Sequence, residues 1–382
     1  NAYLNAIFQT SFDDSATDLW DDHHHNLSAG LSLNYDGYSE ELLLASNLSP
    51  LTYNLNRWEV TPGVFAEYTY TYKDKVTLLM GIREDYSTRY GFFTTPRMNL
   101  RYAPFEWWTL RGSIGFGYRS PNAIADNAAY LASNRMYYLN ADSLAQERSM
   151  NMGLSIVFYI PIGKRELQLS GEYYYTEFYD GVIADMDRSL HGIALYNMHD
   201  VDGARYFSHN WQVEATMEIL RGWTMTAAFR YTDVKQTTFN RVANEYQLRD
   251  KPLQNKFKGI ITTSYQTPLK TWQFDLTAQF NGEGRMPDGF VVPEGSNQYR
   301  VLNNGQIYHK WYPQLLGQVT KFFRTWSIYL GAENMTNFTQ DNPIVGERLE
   351  AKGEKHGGFV NPHSANYDAS MIWAPIHGWK LY

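Results

Sequence analysis

The chain has 382 residues, 33 Lys+Arg against 40 Asp+Glu for a net charge of −7, 16% aromatic residues and no cysteine. An acidic balance without a basic cluster argues against a nucleic-acid partner, and the lack of cysteine excludes disulfides and thiolate metal sites. Mean hydropathy is −0.48, and no run approaches the roughly 18 apolar residues of a membrane helix, so this chain could cross a bilayer only as a closed barrel, whose alternating strands average out hydrophilic.

Alternation of apolar and polar residues is the dominant pattern, and it is the period of a β-strand. In its cleanest copy Trp272, Phe274, Leu276, Ala278 and Phe280 share one face, and Gln273, Asp275, Thr277 and Gln279 the other. In chain order the pattern predicts strands at 4–12, 26–36, 57–71, 76–86, 95–103, 107–119, 148–160, 165–178, 206–219, 223–232, 255–267, 271–281, 311–322 and 325–334, with a closing strand that ends at Tyr382. Short turns such as Tyr72-Lys73-Asp74-Lys75 alternate with long connections near 37–56, 120–147, 179–205, 233–254, 282–310 and 335–370, which puts the long loops at one end. Trp107, Trp108, Trp223, Trp272, Trp311, Trp326, Trp373 and Trp379 crowd the strand ends, as in the aromatic girdles of membrane barrels. The expected fold is all-β, a transmembrane antiparallel barrel with about 15 strands in this sequence. A soluble protein of stacked sheets is the competing reading.

With apolar residues toward lipid, the other face lines the lumen. Arg83, Asp85, Arg97, Arg101, Arg111, Arg119, Glu172, Glu214, Glu218, Arg230, Lys256, Lys258, Asp275 and Glu333 fall in that phase, where they would pair with one another and with water, or grip a ligand or plug. If the last strand descends to the periplasm, counting back makes the first strand descend too. A single-chain barrel with an even number of strands begins with an ascending one, so an odd number of strands is expected ahead of Asn1.

The long loops carry the candidate ligand contacts: Arg135, Tyr137, Met186, His191, Met198, His199, Met286, His309, His356 and His363. Histidine, with methionine for softer ions, suits copper, zinc or haem iron, although no tight ligand spacing occurs; solvated loop residues are the plainer reading. His23-His24-His25 is expected at a turn on the opposite end. Catalysis is not expected: Ser208-His209 is the nearest nucleophile and base pair, and no Gly-x-Ser-x-Gly, phosphate loop or His-Glu-x-x-His is present.

Three stretches carry a family resemblance. Gly117-Tyr118-Arg119-Ser120-Pro121-Asn122 running on to Asn134-Arg135, Gly331-Ala332-Glu333-Asn334-Met335-Thr336-Asn337-Phe338, and residues 367–382 resemble the mid-barrel strand and loop, the penultimate strand and the terminal strand of TonB-dependent outer-membrane receptors of the Bacteroidetes type. The resemblance implies a 22-stranded barrel behind a plug and a TonB box, of which residues 1–382 are the C-terminal portion; the plug, the box and the first strands have no counterpart here. It also implies a location in the outer membrane of a Gram-negative bacterium, in contact with its lipids. The implied function is capture of a scarce nutrient by extracellular loops, with import driven by TonB–ExbB–ExbD acting through the missing N-terminal part, and a surface lipoprotein as a further partner. No intrinsic cofactor is implied; the cargo would be a metal chelate, haem or cobalamin. A passive porin or structural barrel is the alternative.

Overall fold

The structure, a computed structural model, describes residues 1–12, 23–44, 51–138, 144–189, 192–347 and 360–382. Its wall is an antiparallel meander: β1 (Ala2–Ser11), β2 (His23–Tyr38), β3 (Arg57–Tyr72), β4 (Val76–Ser87), β5 (Arg97–Phe105), β6 (Trp108–Arg119), β7 (Glu147–Ile162), β8 (Arg165–Asp180), β9 (Tyr206–Leu220), β10 (Trp223–Asn240), β11 (Phe257–Gln266), β12 (Trp272–Asn281), β13 (Tyr312–Phe322), β14 (Ser327–Glu333) and β15 (Lys380–Leu381). Among the described residues the main sheet has 17 segments, and these are the fifteen wall strands among them. The other two, Gly91–Thr94 and Glu245–Asp250, are short returns paired to the ends of β4 and β10. Each wall strand pairs with its sequence neighbour, and β1 and β15 are the edges.

Register carries the alternation from strand to strand. Phe274 on β12 sits opposite Tyr265 and Val319, and Leu276 opposite Thr263 and Gly317, whereas Asp275 meets Ser264 and Gln318. A one-residue slip would turn every side chain to the wrong face, so the pattern fixes the pairing. Trp272, Phe274 and Leu276 are exposed, as a lipid-facing surface requires. The opposite face is laced with side-chain hydrogen bonds, among them Ser264 Oγ to Asp275 Oδ1 at 2.6 Å and Thr216 with Thr226 at 3.0 Å.

Local chemistry sets the short turns. Lys73 and Asp74 both take positive φ, 49° and 53°, and the Lys75 amide donates to the Tyr72 carbonyl at 2.9 Å. That mirror-image turn matches the twist of β3 and β4, and the next hairpin but one uses Gly163 at φ 64° for the same purpose.

Three expectations are corrected. β10 runs on to Asn240 rather than stopping near 232, because its upper half pairs with Glu245–Asp250 as a hairpin that rises above the wall. His23–His25 begin β2 instead of forming a turn: His23 Nδ1 lies 2.7 Å from Tyr70 Oη and His25 Nδ1 2.6 Å from Tyr68 Oη, so tyrosines of β3 hold the strand three residues longer at this end. The closing strand pairs only at Lys380–Leu381, with Tyr382 exchanging backbone hydrogen bonds with Gly331. Residues ahead of it are drawn into the loop interior, and Trp373 is 9% exposed there rather than standing in a girdle. Trp107, Trp108, Trp223, Trp272 and Trp326 do lie at the short-turn end of the wall.

The two faces should respond oppositely to charge. Leu276→Arg is expected to destabilise the barrel in lipid vesicles by about 2–4 kcal/mol, while Thr277→Arg on the other face stays within about 1 kcal/mol. Urea titration of each variant refolded into vesicles measures the difference, and equal costs would contradict the assignment of faces.

Candidate functional site

At the other end of the wall the long connections fold over one another and bury a core of their own. Val182–Asp185 pairs with Gly192–Asn197, which runs parallel to Met136–Tyr138, so two loops separated by two wall strands share one small sheet. A second small sheet is built from Gly284–Arg285, Tyr299–Val301 and Ile307–His309. Met186, Met286, Phe290, Tyr299, Tyr312, Met371 and Trp373 pack into one buried cluster, and Tyr137, Ile193, Leu195 and Leu42 into another. Large apolar side chains in these loops are satisfied by each other, which makes the loops a cap rather than separate flexible arms.

Buried charge pins the cap. Asp187, at 0% exposure, accepts from Arg285 Nη2 at 2.5 Å and Nη1 at 3.2 Å, from the Asp288 amide at 2.8 Å and from Thr238 Oγ1 at 2.9 Å. Arg249 forms a two-toothed pair with Asp288, both bonds 2.7 Å, and reaches 3.7 Å from Asp187. One carboxylate thus ties the loop after β8, the top of β10 and the loop after β12. Arg135 Nε donates to Asp368 Oδ2 at 2.7 Å, joining the loop after β6 to the segment before β15. Pairs this well buried contribute little over apolar packing, yet removing one partner strands the other charge.

Ionisation follows from the same contacts. Burial acts to raise the Asp187 pKa, but the Arg285 and Arg249 guanidiniums outweigh it and hold the carboxyl below its ordinary value. Asp185, buried nearby with no cation in ion-pair contact among the described residues, is pushed up to about 6 by burial. Burial drives His309 down to about 4. Its ring stacks on Trp373 with centroids 4.1 Å apart, and Nδ1 lies 3.2 Å from the Lys310 carbonyl, so Nδ1 carries the proton. Nε2 has no hydrogen-bond partner among the described residues and faces Gly284, where a Cβ would come within 2.6 Å.

The sequence-derived loop candidates divide accordingly. Arg135, Tyr137, Met186, Met198, Met286 and His309 are all buried and hold the cap together, so in this arrangement they do not present a surface to a ligand. His199 is exposed and contacts Asp180 at 3.0 Å; His363 is exposed. His191 and His356 lie outside the described residues. Among the described residues no group of three or more His, Cys, Asp or Glu could hold a metal ion.

On the wall, Arg101, Arg111, Ser155, Glu172, Gln212, Arg230, Lys258 and Asn281 stand opposite one another in succession, one polar row across β5 to β12. Glu214 is on that face opposite Ser170, and Asp275 opposite Ser264. Arg83 binds Asp85 through two bonds of 2.6 Å and donates to Ser32 at 2.6 Å, and Arg97 pairs with Glu67. Glu333 lies opposite Lys380 at the last pairing. Lys256 is in the loop after β10, where it pairs with Asp250 at 2.7 Å. Under the cap, a cavity of about 200 Å³ is lined by Arg119, Asp126, Tyr130, Glu147, Phe178, Tyr206, Gln236 and Lys251. Sequence reading missed Tyr206 and Lys251, since neither stands out by spacing. Their partnership depends on the return of Glu245–Asp250 along β10.

Two measurements probe the cap. Asp187→Asn should loosen it by about 3–5 kcal/mol, seen as loss of hydrogen-exchange protection in residues 182–197 and 284–309 while wall amides are unchanged; loss of protection throughout the wall would contradict a separate cap. For His309 the folded pKa lies below the unfolded one, so its contribution is complete above about pH 6.5 and is lost as pH falls toward about 4. Asp185 works the opposite way, its raised pKa stabilising the cap at low pH. Comparison with His309→Phe isolates the imidazole: the wild-type advantage in cap protection should shrink by on the order of 3 kcal/mol between pH 6.5 and 4, whereas a constant difference would contradict the neutral buried ring.

Sequence comparison matches residues 1–335 to the family described as TonB dependent receptor-like, beta-barrel. No curated protein matches the sequence. Among solved structures, the chain resembles a mutant of the ferric enterobactin receptor PfeA from Pseudomonas aeruginosa, with a TM-score of 0.60 and 15% identity over 99% of this chain and 52% of that one. It also resembles the FrpB iron transporter from Neisseria meningitidis, with a TM-score of 0.56 and 12% identity over 99% and 54% of the two chains. The Serratia marcescens hemophore receptor HasR, in complex with its hemophore and heme, gives a TM-score of 0.57 and 13% identity over 87% and 55%. This chain spans about half the length of these receptors, and at such identities the likeness is one of fold. A fifteen-strand meander with alternating faces, long loops gathered at one end and a family match over most of its length lead to one conclusion: the chain belongs to the TonB-dependent receptor-like β-barrel family.

Proposed function

We propose that the chain is the C-terminal portion of an outer-membrane active transporter of the Bacteroidetes type, which captures a scarce nutrient on its extracellular loops and imports it with energy relayed by TonB–ExbB–ExbD. The observation that carries this reading is the pairing of a polar row across the inner wall with a packed cap at one end. A passive pore has no need to close its mouth with buried ion pairs. The cap is the extracellular face, the short turns are periplasmic, and Arg83, Arg97, Arg111, Arg119, Glu172, Arg230 and Asp275 line the bore against a plug supplied by another part of the protein. Cargo is an iron chelate or haem, as the names of the similar receptors suggest, with cobalamin a further member of the class. A surface lipoprotein over the cap fits the same reading.

Uptake in cells that express the complete receptor tests it. Removing residues 282–310 should lower uptake of labelled ferric chelate or haem at least about tenfold while the barrel still inserts, because the loop supplies Arg285 and Met286 to the cap; a strain without TonB should take up none. Undiminished uptake without TonB would select the passive pore instead.

A further inference from the structure

Lys321 breaks the rule that the wall otherwise keeps between β11 and β14. Among the described residues of these strands it is the one charge in the lipid-facing phase: it stands opposite Trp272 and Ile328, with Val319 and Phe323 two residues away. A lysine in that phase is costly at the bilayer midplane and nearly free at its surface, and Lys321 is next to last in its strand. Its Nζ lies 4.6 Å from the Trp272 ring centroid and 5.8 Å from that of Phe323, which stacks on Trp326 at 4.0 Å. Ring faces attract the ammonium without neutralising it. The adjoining turns add Lys270 and Arg324, both exposed. The carboxylates of these strands, Asp275 and Glu333, belong to the other face, as does Glu218 of β9, which accepts from the Gly222 amide at 2.8 Å. The basic character is local, since the chain as a whole is acidic and the connection between β1 and β2 holds Asp13, Asp14, Asp18, Asp21 and Asp22.

Toward the midplane from Lys321 the same face opens into a groove. Its first row is Phe274, Val319 and Leu330, and the next is Leu276, Gly317 and Ala332. Gly317 and Ala332 are too short to fill their places, and the two rows line a groove of about 480 Å³. At about 3.4 Å per residue, Gly317 is roughly 13 Å along the strand from Lys321, within the half-thickness of roughly 15 Å that one leaflet of hydrocarbon offers. A cation at the membrane surface followed by an apolar groove along one strand is the outline of a phospholipid, phosphate first and acyl chain after. We propose that this face of β11 to β14 binds an anionic phospholipid, with its headgroup on Lys321 between the turns of Lys270 and Arg324 and an acyl chain over Gly317. Three cations with no carboxylate on their face favour a lipid of net negative charge over a zwitterionic one. With the short turns in the periplasm, the lipid belongs to the inner leaflet of the outer membrane. That placement rests on the orientation given above; the site itself rests only on the membrane barrel.

Native mass spectrometry of the complete receptor in detergent tests the site, with phosphatidylglycerol and phosphatidylethanolamine of the same acyl chains added in equal amounts. The wild-type protein should bind its first phosphatidylglycerol about fivefold or more tighter than its first phosphatidylethanolamine. Lys321→Gln should remove most of that preference and leave phosphatidylethanolamine binding as it was, and Lys321→Arg should keep it. Lys164→Gln, in the turn between β7 and β8, should change nothing. Gly317→Leu, which fills the groove, should weaken binding of both lipids. Retention of the heat-stable barrel band on gels checks that each variant is folded. Equal binding of the two lipids by the wild type overturns the proposal, as does a preference that Lys321→Gln lowers no more than Lys164→Gln, or a Gly317→Leu protein that binds both lipids undiminished. TonB-dependent uptake without any headgroup preference would sink this site and spare the transport reading; uptake independent of TonB alongside an intact preference would do the reverse.

Discussion

Hydrocarbon offers no water to a free amide, and that single constraint shapes the whole wall. Every backbone donor and acceptor must find a partner in the next strand, which a meander of long antiparallel strands supplies pair by pair. Because the side-chain period is two, the same pairing that satisfies the backbone also sorts the residues: rows such as Tyr265, Phe274 and Val319 collect on one face, and Arg111, Glu172 and Arg230 on the other. Charges on the inner face therefore need no apolar burial to be tolerated.

The cap obeys a different physics. Its backbone is irregular and stands clear of the wall, so it is organised by side chains: methionine and aromatic packing around Trp373, and ionic ties centred on Asp187 and on Arg135 with Asp368. These ties link segments far apart in sequence, and the loss of one partner costs more than the pair contributes. Such an arrangement favours one packed geometry and is expected to loosen as a unit when a partner is removed.

The wall was legible in the sequence and the cap was not, for reasons that particular residues make plain. Alternation is a local signal, so the limits of β3, β8 and β12 fall within a few residues of expectation. β10 escaped because its upper half is held extended by the return of Glu245–Asp250 and, at Thr238 and Phe239, by Asp187 and Asp185, partners fifty residues away that no local window contains. Met186, Met286 and His309 read as ligand candidates because loop residues of those types are usually in solvent. Only the packing of several loops together shows that they are interior. The stretch of residues 367–382 matched a terminal strand in pattern, yet Met371 and Trp373 satisfy themselves in the cap before the chain enters the wall.

Alternate exposure to lipid along a wall strand is the most direct measure of the account. The chain has no cysteine, so single cysteines introduced at successive positions from 272 to 281 can each carry a spin label, with the complete receptor reconstituted in vesicles. The account predicts that accessibility to oxygen and to a water-soluble nickel chelate oscillates with a period of two and in opposite phase, oxygen being highest at 274, 276 and 278. Uniformly low accessibility to both reagents along the strand would mean that the apolar rows meet in a dry interior, and would contradict a membrane barrel.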